Sequence, residues 1–75
     1  MSSFNADITA VEKNLVRTSD AVLETTDGQY RIIEQADGFF RIVRVIKGNE
    51  VFVGRDAETL NLAKWCVARL VKAAN

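Results

Sequence analysis

The chain has 75 residues, ten basic and ten acidic, with no histidine, no proline and one cysteine. That length makes one domain near the lower limit for folding alone, with room for roughly 3–5 kcal/mol of net stability. One cysteine excludes a disulfide framework, the lack of histidine takes away the usual zinc ligands, and the balanced charge leaves no global field to steer the chain onto nucleic acid or an anionic membrane.

The opening "MSSFNADITAVEKN" has neither a basic start nor a continuous apolar core, so it does not read as a secretory signal. No apolar run approaches the ~20 residues of a membrane span, and a lone cysteine suits a reducing compartment. A cytoplasmic protein is expected. Phe4, Ile8, Val11 and Leu15 recur at helical spacing and predict a helix over residues 5–17, ending before Ser19-Asp20. The pairs Asp27-Gly28, Asp37-Gly38 and Gly48-Asn49 then favour tight turns. The runs between them predict four antiparallel strands at 21–26, 29–35, 39–47 and 50–55, in a meander. Asp56 is the expected N-cap of a last helix over 57–74, with Glu58 in its first turn. Its apolar stripe is Leu60, Ala63, Val67, Leu70, Val71 and Ala74. The expected fold is therefore a single α+β domain, α-β-β-β-β-α, with the C-terminal helix packed on one sheet face.

Two-residue turns at the glycine pairs set an expected register: Leu23 opposite Ile32, Ile32 opposite Val43, Val45 opposite Phe52. One face then holds Leu23, Tyr30, Ile32, Phe39, Val43, Val45 and Phe52 and is the expected core. Glu34 faces Arg41 there, and Gly54 lets the helix come close. The other face mixes Val22, Ile33, Phe40, Ile42, Ile46, Val51 and Val53 with Glu24, Arg31, Arg44 and Arg55. It sets Arg31 against Arg44, a like-charge pair with no stabilising value. This face is too apolar for water and too basic for a dry core. Aromatic residues and arginine are enriched at interface cores, so Arg31, Phe40, Ile42, Arg44 and Arg55 are expected to bind a partner. Leu62 and Trp65 stand off the stripe of the last helix with Arg69 between them in angle, a second anchor for a partner. The first helix can cover only one of these two surfaces, which leaves at least one over.

Catalytic chemistry finds little support. Cys66 sits among apolar residues that do not lower a thiol pKa. Asp27 and Asp37 are turn formers, and Glu24 and Glu34 fall on opposite faces of the sheet, so they are no carboxylate pair. Neither a phosphate-binding loop nor a dinucleotide fingerprint is present. In "VGRDAETL" a glycine precedes a helix start, a place for an anion, but Asp56 and Glu58 oppose one. No catalytic, cofactor, metal or small-molecule site is expected. The expected function is a non-enzymatic protein-interaction module: a homodimer, or a regulator or inhibitor that occludes a partner's site, of the kind common in bacterial and phage genomes. The alternative is a weak binder of RNA or single-stranded DNA using Arg31, Phe40, Arg44 and Arg55. The element order loosely resembles the double-stranded-RNA-binding domain. It departs from that family in having Asp56 and Glu58 where the family's loop is rich in lysine, and four strands in place of three.

Overall fold

The computed structural model describes residues 4–74. Helix α1 (Phe4–Glu12) leads into strands β1 (Leu15–Ser19), β2 (Val22–Thr25), β3 (Tyr30–Glu34), β4 (Phe40–Ile46) and β5 (Asn49–Phe52), and helix α2 (Leu60–Ala74) follows. The strands form one antiparallel sheet in chain order, so the fold is α+β with five strands where four were expected. The additional strand comes from the end of the predicted first helix. Leu15 packs on the core, as the helical stripe requires, but it does so from a strand. The run Val16-Arg17-Thr18 carries two β-branched residues, which suit a pleated strand better than a helix. Asn14 closes α1: its amide donates to the Val11 carbonyl (2.9 Å), and its own carbonyl accepts from the Thr26 amide (2.8 Å).

The β2–β3 register is the expected one, with Leu23 opposite Ile32. The β3–β4 register is not. Ile32 lies opposite Ile42, Ile33 opposite Arg41 and Tyr30 opposite Arg44. The cause is the length of the turn. Gln35 donates to the Phe39 carbonyl (2.9 Å) and closes a three-residue loop, whose last residue, Gly38, has φ 88°. Such a loop ends in a left-handed residue, which is why glycine stands there. A slip of one residue turns every β4 side chain to the opposite face. The β4–β5 turn uses Lys47-Gly48, not Gly48-Asn49, and places Val43 opposite Phe52. That second shift is even, so β5 keeps its relation to β4.

The core therefore lies between the helices and the face bearing Tyr30, Ile32 and Ile42, which meet Ala63, Val67 and Ala68 of α2 and Val11 of α1. Helix α2 lies over β3 and β4, and α1 packs against its flank. Among the contacts that hold α1 there are those between the Phe4 and Trp65 rings (centroids 5.9 Å apart), Lys72 and Asp7 (2.7 Å), and Lys64 and Glu12 (2.7 Å). Val45 and Phe52, expected in the core, face away from the helices, and Phe39 is exposed. Helix α2 begins three residues later than expected, with Thr59 as its cap: the Thr59 hydroxyl accepts the Leu62 amide (3.1 Å). Asp56 is held elsewhere, because neighbouring Ala57 pairs with Phe40 through two 2.8 Å hydrogen bonds and keeps this segment extended.

Candidate functional site

Helix α2 covers β3 and β4 but stops short of β5, and the gap is a groove of about 360 Å³. Its floor is Ile42 and Val53, and its helix wall is Trp65, Cys66 and Leu70. Two arginines belong to it: Arg55 from the loop after β5, and Arg69 from α2, whose guanidinium lies over the Trp65 ring at 4.9 Å. Arg44 shares this face of the sheet, opposite Val51. Among the described residues, Arg44, Arg55 and Arg69 have no carboxylate within ion-pair reach, whereas Arg31 and Arg41 do.

The loop that opens the groove turns at Gly54, φ 71°. The space where a Cβ would stand there is empty. Gly54 is needed for its left-handed backbone, then, and not for the close helix approach expected of it. Its turn carries Arg55 out of line with β5 before Ala57 rejoins β4 at Phe40.

The expected partner-binding residues divide. Ile42, Arg55, Trp65 and Arg69 meet in the groove, and Arg44 stands on the same face. Ile42 is its floor and is only 2% exposed. Phe40 and Leu62 are half-buried against the core and lie outside the groove. Arg31 is on the opposite face, so the like-charge pair with Arg44 does not form. Val53 and Leu70 also line the groove but were not among the residues expected to bind. Val53 shared the expected face with Ile42, and Leu70 reads in the sequence as ordinary helix core.

The sheet face without helices is tied by charge. Arg31 donates to Glu24 on β2 (2.9 Å) and to Glu50 on β5 (2.7 Å), crossing β4 beside Val43, which is fully buried. The hydrogen bonds to Glu50 and then Glu24 raise the Arg31 pKa. Arg41 lies over the Phe52 ring at 4.2 Å and reaches Asp56 at 3.4 Å, in place of the Glu34 pairing expected from the sequence. The Gln35 amide, then Arg41, hold the Asp56 carboxyl below its ordinary value. Arginine stems thus clothe this face, although Phe52 remains 66% exposed.

Burial pushes the Cys66 thiol above its ordinary pKa, so it is a neutral wall of the groove at pH 7. Among the described residues, no group of three or more carboxylates and thiols is placed to hold a metal ion. No helix among them is long and apolar enough to cross a membrane. Comparison with known proteins finds no match to a family model, a curated protein or a solved structure.

Proposed function

We propose that the protein is a non-enzymatic protein-interaction module that binds a partner in the groove between α2 and β5, and that it acts as a small regulator or inhibitor by occluding the partner's surface. The observation that carries this reading is the groove itself. An apolar floor and a tryptophan wall lie beside two arginines, Arg55 and Arg69, with Arg44 on the same sheet face, all three without carboxylate partners among the described residues. Tryptophan and arginine dominate the energetics of protein interfaces when they sit in a desolvated centre. The stacked Arg69–Trp65 pair presents both in one place. A reducing compartment such as the cytoplasm fits the lone thiol of Cys66.

The test is charge reversal. A partner purified from the source organism on the wild-type chain is titrated against Arg55→Glu/Arg69→Glu and against Arg31→Glu. The groove pair is expected to weaken binding by about a hundredfold, about 2.7 kcal/mol. Arg31→Glu, on the other face, is expected to change it less than about threefold. Equal loss in both variants, or loss only in Arg31→Glu, overturns the reading. Sedimentation of the wild-type chain across concentration separates self-association from binding to another protein.

A further inference from the structure

Beside the groove, β5 is the last strand of the sheet, and among the described residues nothing pairs with its outer hydrogen-bonding side. The Val53 amide donates inward to the Ile42 carbonyl (3.0 Å). In an antiparallel ladder, hydrogen-bonded and non-hydrogen-bonded pairs alternate. Val51, opposite Arg44, therefore also points its backbone groups inward, while Glu50 and Phe52 point theirs out. Proteins commonly protect such an edge with lysine, proline or a covering segment. Here Asn49, Glu50, Val51 and Phe52 form the whole edge, and all four are exposed.

Resting on the groove as the partner site, we infer that its occupant is an extended segment of another protein that adds as a sixth strand along β5. This segment inserts an apolar side chain between β5 and α2 and places acidic side chains two residues to either side. The outward N–H and C=O groups of Glu50 and Phe52 supply the backbone pairing. Strand addition gives affinity through the main chain and specificity through pockets for alternate side chains. The groove is the pocket, and the alternation of a strand brings every second residue of the added segment to the face of Arg44, Arg55 and Arg69. Charge argues against a second copy as the occupant. A second β5 brings Asn49 and Val51 to this face, with Val53 just past its end, and no carboxylate. Its single acid, Glu50, lies on the opposite face and is held by Arg31. The complementary strand is acidic and foreign.

The probe is a synthetic heptapeptide library with Asp or Glu at the second and sixth positions and Leu, Val or Phe at the fourth. A library of the same composition in shuffled order is the control. Patterned peptides are expected to bind at least about tenfold more tightly than shuffled ones. The tightest of them is expected to slow amide hydrogen exchange at Glu50 and Phe52 by at least about tenfold. Phe52→Pro removes the outward donor without touching the β4 ladder, since the Phe52 amide points away from β4. It is expected to lose at least about tenfold in affinity, while Phe52→Ala, which removes the ring alone, stays within about threefold of wild type. Patterned and shuffled libraries binding alike, or Phe52→Pro binding like Phe52→Ala, overturn strand addition. A peptide that slows alkylation of Cys66 but leaves the Glu50 and Phe52 amides exchanging freely also overturns it, and leaves the groove standing as the partner site. Tight binding with Cys66 reacting as in the free chain removes both.

Discussion

At the scale of single residues, Thr25 and Asp27 show how a turn is held together by side chains. The Thr25 hydroxyl, buried, accepts the Tyr30 amide (3.0 Å) and donates to the Asp27 carboxylate (2.7 Å), which also accepts the Gln29 amide (3.0 Å). The Thr25 hydrogen bond, then that of Gln29, hold the Asp27 carboxyl below its ordinary value of 3.8. A carboxyl whose pKa is lower folded than unfolded adds stability above the unfolded value. That stability is lost as pH falls through the folded one. Wild-type stability is therefore expected to fall below about pH 4. Asp27→Asn is expected to show a shallower fall, the Asp56 carboxyl also being held low. Urea midpoints measured at pH 7, 4 and 2.5 check this, and parallel curves for the two proteins contradict it. Asp27 was legible in the sequence as a turn former. Its hydroxyl partner was not, because a threonine at the end of an apolar run reads only as strand.

At the scale of elements, turn length decided most of what could be read. The β2–β3 hairpin was legible because its pairing agrees with the simplest Asp-Gly turn. The Asp37-Gly38 turn carries the same dipeptide, yet its loop has one residue more. Dipeptide chemistry does not distinguish these loops, and apolar residues on both sides of β4 (Phe40, Ile42 and Ile46 against Val43 and Val45) gave alternation no preference. The β1 strand was not legible, because Leu15 satisfies a helical and a strand pattern alike and the turn at Asp20-Ala21 has no glycine. The register is tested by Ile42→Lys and Val45→Lys. Ile42 is buried under the helices, so lysine there costs roughly 2–5 kcal/mol in lost packing alone. That is comparable to the whole stability of such a chain, and Ile42→Lys is expected to be unfolded. Val45 faces Glu50 on the helix-free side, and lysine there is expected to change stability by less than about 1 kcal/mol. Circular dichroism with urea titration reads both; the opposite ranking restores the two-residue turn.

At the scale of the whole molecule, the leftover surface follows from counting faces. One sheet has two faces, and the described residues form two helices. Both lie on the same face, because α1 spends its apolar stripe on the flank of α2. Two helices side by side still do not reach β5, and the groove is what they leave. An excess of apolar-plus-arginine surface was expected from two such surfaces set against one spare helix. Its place was not legible: four of the eight residues expected to bind line the groove, and of the five assigned to the sheet face only Ile42 and Arg55 are among them. Trp65 and Arg69 were legible because helical angle depends only on spacing along one element. The sheet residues depended on a turn that spacing does not reveal.

The only cysteine of the chain lies in the wall of this groove, half-buried and reachable. Its rate of alkylation by iodoacetamide at pH 9, for the free chain and for the chain saturated with an acidic-apolar peptide, reads the occupancy of the groove directly. The groove as partner site predicts that the bound peptide slows the reaction by at least about tenfold. An unchanged rate at saturation places the peptide elsewhere and contradicts it.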